Sequence, residues 1–208
     1  VEEIRAAGHD TRAIAAAGAQ AFLKMVFVDS YFHGDIHGGN VLVLKDGRLG
    51  LLDFGVVGHL DSRLMRDVAS LFLAILSRDF RSVARTTLSL SSGTSDRHVS
   101  DEAFARDLEA VLEPLLGLAL KDIQSAQVLE QLASVARRHG LQVPQDLLLL
   151  GRAMGSLEGM ARELDPDFNV FERLGDYAGP VIAERYKPER LMGDLVSGLR
   201  ELADLSRD

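Results

Sequence analysis

The feature that most restricts how this chain can fold is a pair of short motifs held apart by a connector of defined kind. Tyr31-Phe32-His33-Gly34-Asp35-Ile36-His37-Gly38-Gly39-Asn40 sets a histidine, a carboxylate and an amide in a His-x-Asp-x-x-x-x-Asn spacing, and Asp53-Phe54-Gly55 follows. Between them lie two apolar runs, Val41-Leu42-Val43-Leu44 and Leu49-Gly50-Leu51-Leu52, joined by Lys45-Asp46-Gly47-Arg48. An Asp-Gly pair flanked by apolar runs is a strong hairpin signal, because it supplies the positive φ angles of a tight turn. A hairpin returns the chain to where it left, so Asn40 and Asp53 are expected at the same end.

These residue types in this order suit phosphoryl transfer. An attacking oxygen must lose its proton while in line with a γ-phosphate, which needs a carboxylate facing the nucleophile; Asp35 has that place. The phosphates of ATP need Mg²⁺, and Mg²⁺ needs hard oxygens, which the Asp53 carboxylate and the Asn40 carbonyl supply. His33 is carried with Asp35 as a catalytic candidate, though bracing the loop backbone suits it better. His37 is either a contact to the nucleotide phosphates or a polar loop residue. Either motif alone is common by chance; both in order, with a two-stranded connector between, point to a kinase-like lobe.

The remaining sequence bounds the setting. The 208 residues suffice for one good core, and a formal net charge of −8 without a basic stripe argues against a nucleic-acid partner. With no cysteine there is no disulfide and no thiolate metal site. No run approaches the length of a membrane span, and Val1-Glu2-Glu3-Ile4-Arg5 is no signal peptide.

Helices are expected at 10–30, capped by Asp10 or Thr11 with Ile14, Gly18, Ala21, Phe22, Met25 and Val28 on one face, and from Asp61 with Leu64, Val68, Leu71, Phe72, Ile75 and Leu76 inward. Others are expected at 79–90, from Ser100 until Pro114 kinks or ends it, at 125–139 until Gly140 stops it, and from Pro144 to about Leu164. Ser91 to Asp96 reads as a linker, and the pattern after Phe171 as a weaker helix broken at Pro180 and Pro188. Gly151, Gly155 and Gly159 fall on one helical stripe, as expected where another backbone approaches closely. Glu158 beside them is either a buried partner for an arginine or a solvated charge. Only Val56 to Leu60 separate Gly55 from the next helix, too few for the activation segment that docks a polypeptide, so a small-molecule or lipid acceptor is expected over a protein.

His33 to Asn40 and Leu52 to Gly58, taken with Val143-Pro144-Gln145-Asp146 through Arg152, Leu157-Glu158-Gly159 and Leu164-Asp165-Pro166-Asp167-Phe168-Asn169, resemble the UbiB-type atypical kinases. Aminoglycoside and choline kinases share the first two stretches but not that ending. Members usually carry proline where Ile36 and Gly38 stand, so this loop lacks two fixed φ angles. The resemblance implies an α+β, predominantly α-helical fold: a protein-kinase-like C-terminal lobe over 1–208 with one catalytic β-hairpin, residues 1–60 carrying scaffold helix, loop, hairpin and Asp-Phe-Gly, and 61–208 a helical subdomain. It also implies an ATP- and Mg²⁺-dependent kinase or ATPase supporting ubiquinone-type lipid biosynthesis. None of Lys24, Lys45, Lys121 and Lys187 stands in a strand context before the loop. The nucleotide-gripping lobe is therefore expected upstream of Val1, with membrane-associated helices beyond Asp208 and a cytoplasmic, membrane-peripheral location; the isolated chain is expected to be inactive. Two alternatives stay open: a small-molecule kinase of the aminoglycoside or choline kind, and a non-catalytic nucleotide-binding lobe.

Overall fold

A computed structural model describes residues 1–91, 100–117 and 122–174. The element order is α1 (Glu2–Ala6), α2 (Thr11–Lys24) continued by a π-helical turn (Met25–Asp29), β1 (Tyr31–His33), β2 (Val41–Val43), β3 (Leu49–Leu51), β4 (Val57–His59), α3 (Ser62–Leu76), α4 (Phe80–Leu90), α5 (Asp101–Leu116), α6 (Ser125–Arg138) and α7 (Gln145–Leu164). Helices dominate, with two small antiparallel ribbons, β2 against β3 and β1 against β4. The expected linker beyond Ser91 and the breaks at Pro180 and Pro188 lie outside the described residues.

The starts of α2, α3, α4 and α5 carry side-chain caps. The carboxylate of Asp10 accepts from the N–H groups of Arg12 (2.9 Å) and Ala13 (3.3 Å), and Asp61 accepts from those of Arg63 (2.8 Å) and Leu64 (2.7 Å). Asp79 caps α4 through the Ser82 N–H and Ser100 caps α5 through that of Ala103. Each cap satisfies donors that would otherwise be orphaned at a helix start. Gly140, at φ +74°, ends α6, and Pro114 sits in the last turn of α5, which closes at Leu116.

The helices α3 to α7 pack against their chain neighbours in sequence, and α7 returns to lie along α2, closing one continuous core. Phe22 meets Phe32 edge-on at 6.1 Å, and Phe27 meets Phe72, which meets Phe171. Such pairs add about 0.5–1.5 kcal/mol each beyond their buried area. The ring pairs tie the strand leading into the site to the helical body.

Three expectations need correction. The core face of α2 is Ile14, Ala15, Ala19, Phe22, Leu23, Val26 and Phe27, while Ala21 and Val28 are exposed. Val26 and Phe27 stand four residues after Phe22 and Leu23 and continue the same stripe, so the buried face lies about one residue on from the expected one, with Met25 at its edge. Leu76 is exposed because it lies on the outer face of α3 beside Leu73, while Ile75 in the same turn is buried. Thr11–Asp29, at 19 residues, is long and apolar enough by length and composition to cross a membrane, contrary to the expectation that no stretch comes close. Its apolar stripe is packed under the site, which is the role of a core helix.

Candidate active site

The hairpin forms in the expected place, with Val41 opposite Leu51 and Val43 opposite Leu49. The second ribbon was not legible: Tyr31 pairs with His59, Phe32 with Gly58 and His33 with Val57, and the Gly34 N–H donates to the Val56 carbonyl at 2.9 Å. Strands of three residues are too short to show alternation. The available signal was a β-prone pair beside each motif, Tyr31-Phe32 ahead of the first and Val56-Val57 directly after the second. Gly58 is required here, because a Cβ at that position would lie 2.1 Å from the Phe32 ring.

Both motifs are fastened to one residue. Leu52 donates its N–H to the Asn40 carbonyl at 2.9 Å, and its own carbonyl lies 2.9 Å from His33 Nε2. His33 Nδ1 accepts from the Asp35 N–H at 3.2 Å, so the ring carries its proton on Nε2 and donates it to Leu52. The ring is 1% exposed and packs at a tilt against Phe54, with centroids 5.1 Å apart. With both nitrogens holding backbone, His33 is a brace between the loop and the strand before Asp53.

Asn40 is 7% exposed, and its Nδ2 donates to the Asp35 carbonyl at 3.0 Å, which fixes the amide and sets Oδ1 on its other side. Asp53 is exposed and has φ +54°, left-handed backbone that aspartate tolerates better than most residues; its Oδ1 accepts from the Gly55 N–H at 3.2 Å. Among the described residues no three His, Cys, Asp or Glu side chains cluster as metal ligands. The Asp53 carboxylate and the Asn40 amide oxygen could serve as donors, and both are hard. The pair fits Mg²⁺, which takes few protein ligands and fills its shell with water and phosphate oxygens.

Asp35 projects its carboxylate outward, 42% exposed. Arg152 of α7 approaches Oδ1 at 3.4 Å, and His37 Nε2 stands 3.9 Å from Oδ2. His37 also accepts from the Gly39 N–H through Nδ1 and is half exposed. Ile36 is buried, whereas a Cβ at Gly38 would meet nothing within 4 Å.

The stretches at the end of the described chain are scaffold. Glu158 is 3% exposed and accepts from the N–H and hydroxyl of Ser125 (2.8 and 2.6 Å) and from Arg162 (2.8 Å), which resolves it as a buried partner. Asp165 and Asp167 pair with Arg12 at the start of α2, and Asn169 donates to the Ile123 carbonyl. A Cβ at Gly155 would lie 2.6 Å from that of Ala126, and one at Gly151 would lie 3.3 Å from Leu129. Gly159 faces open space, so the close-packed stripe covers two of its three glycines.

The chain is similar to known proteins along most of its length. Residues 1–87 match the ABC1 atypical kinase-like domain and residues 108–169 the UbiB helical domain. Proteins named "Probable protein kinase UbiB" from Xanthomonas campestris pv. campestris (strains B100 and 8004) and Xanthomonas axonopodis pv. citri (strain 306) are each 33% identical over 97% of this chain. The chain spans about a third of the length of these relatives, 37% of each. The two domain models, in this order along one chain, and the relatives that align across both show that the chain belongs to the UbiB-type atypical kinase family.

Proposed function

We propose that these residues form the catalytic half of an ATP- and Mg²⁺-dependent phosphoryl transferase or ATPase acting in ubiquinone-type lipid biosynthesis. The observation that carries the reading is the double attachment of Leu52, which holds the Asn40 end of the loop and the residue before Asp53 in one frame. In that frame Asp35 accepts the proton of the attacking oxygen, Asn40 and Asp53 hold the metal, and His33 keeps both backbones in place. When bound, Mg²⁺ would offset the charge of the phosphates. His37, beside Asp35 and half exposed, is proposed as a contact to the nucleotide phosphates.

The acceptor is proposed to be a small molecule or lipid. β4 pairs back onto β1 directly after Asp-Phe-Gly, and α3 begins at Ser62, leaving no extended segment on which a polypeptide could dock. Nucleotide grip and any membrane contact would come from parts of the full-length protein outside these residues, in keeping with a cytoplasmic, membrane-peripheral location.

Two isosteric variants of the full-length protein test the assignment. Asp53→Asn, which keeps a residue tolerant of left-handed backbone, is expected to weaken Mg-ATP binding and turnover together. Asp35→Asn is expected to leave affinity near wild type and lower kcat by roughly 10²- to 10⁴-fold. If Asp35→Asn loses affinity as severely as Asp53→Asn, Asp35 is a metal ligand. If it changes neither quantity, the lobe is non-catalytic.

A further inference from the structure

Among the described residues no side chain of the loop hydrogen-bonds the Asp35 carboxylate. The loop fixes the backbone on both sides, through the N–H on His33 and the carbonyl on Asn40. The groups that reach the carboxylate are Arg152 at 3.4 Å from Oδ1 and His37 at 3.9 Å from Oδ2, the latter beyond hydrogen-bond distance.

Arg152 comes from a well-anchored element. Helix α7 is held by the buried Glu158 and by Leu150, Ala153 and Met154, and it abuts the loop where Leu149 crowds Gly34. A Cβ at Gly34 would lie 2.9 Å from Leu149 Cδ2. Arg152 stands three residues further on, on the same face of the helix, and so reaches the next residue of the loop. The pair joins positions 117 apart in sequence.

We infer that Arg152 is a positioning residue: it holds Oδ1 of Asp35 so that Oδ2 is the oxygen presented to the acceptor. This rests on the function proposed above. In the step it serves, the acceptor oxygen bonds to the γ-phosphorus as the bond from that phosphorus to the β,γ-bridging oxygen breaks. The acceptor proton passes to Oδ2, and ADP leaves with the bridging oxygen. Stability is not the role of this pair, because ion pairs open to solvent contribute little and the Arg152 side chain is 72% exposed.

The test is made in the full-length protein with ATP and Mg²⁺. Arg152→Ala is expected to lower kcat roughly 10- to 100-fold, the scale of a misplaced reacting group, with Mg-ATP affinity and melting temperature unchanged. Arg152→Lys should recover part of the loss, and Arg152→Ala should add nothing to the residual turnover of Asp35→Asn. Wild-type kcat in Arg152→Ala, a parallel fall in nucleotide affinity, or a full additional loss in the double variant would each overturn the assignment. An Asp35→Asn variant with wild-type turnover would instead remove the underlying catalytic reading, and with it the role of Arg152.

Discussion

Asp35 and Glu158 are both carboxylates approached by an arginine of the same helix, yet their surroundings are opposite. Glu158 is buried and its oxygens are taken up by the N–H and hydroxyl of Ser125 and by Arg162. It caps the start of α6 from a neighbouring helix, where both the orphan N–H and the helix dipole favour a negative charge. Asp35 stands at the surface with one oxygen held at 3.4 Å and the other without a hydrogen-bond partner at that distance. In the loop, polar side chains such as His33 and Asn40 hold backbone so that a carboxylate can stay open. At the α6–α7 contact, the carboxylate itself is what holds.

The contrast can be broken by exchanging the consequences. Glu158→Ala leaves Ser125 and Arg162 without their acceptor, and the expected loss is about 3 kcal/mol of stability by denaturant unfolding. Asp35→Asn should lie within about 0.5 kcal/mol of wild type in the same measurement. Equal destabilisation by the two changes would show that the loop carboxylate is structural after all.

The glycine stripe sharpens the picture of the packed side. Gly155→Leu must displace Ala126 and is expected to cost about 1–3 kcal/mol, whereas Gly159→Ala, facing open space, should stabilise by about 0.5–1 kcal/mol through helix propensity. Thermal melts of the pair decide the matter, and a stable Gly155→Leu would mean that α6 and α7 are not in close contact there.

The smallest effect concerns a carboxylate of intermediate kind, Asp61. The Leu64 N–H above all, and then that of Arg63, hold its carboxyl below the ordinary value. A folded pKa below the unfolded one means stability that is present above the unfolded pKa and lost as pH falls through the folded one. Asp61→Ala should therefore cost about 1 kcal/mol at neutral pH, and the gap to wild type should close in acid. A gap independent of pH would exclude the cap as its source.

What the sequence made legible follows the reach of each interaction. Asp10, Asp61, Asp79 and Ser100 announce helix starts because a cap acts within three residues. The hairpin was readable because Asp46-Gly47 determines its own turn. Glu158 could not be resolved from the chain alone, since its partner Ser125 belongs to another helix, and Arg152 could be noticed only as part of a stretch resembling a family. The face of α2 was placed about one residue off because Ala15, Ala16, Ala17 and Ala19 are too alike to mark a side. The β1–β4 ribbon escaped because three-residue strands carry no pattern.

The two bonds at Leu52 have a consequence for how this site can be watched. Its N–H is given to the carbonyl of the same Asn40 that would share the metal with Asp53, while its carbonyl is held by the ring that steadies Asp35. Exchange of that one amide proton with solvent requires the loop to part from the strand leading to Asp53. A single deuterium label at Leu52 is thus a clock for the lifetime of the assembled site, readable without substrate and independent of whether any turnover occurs.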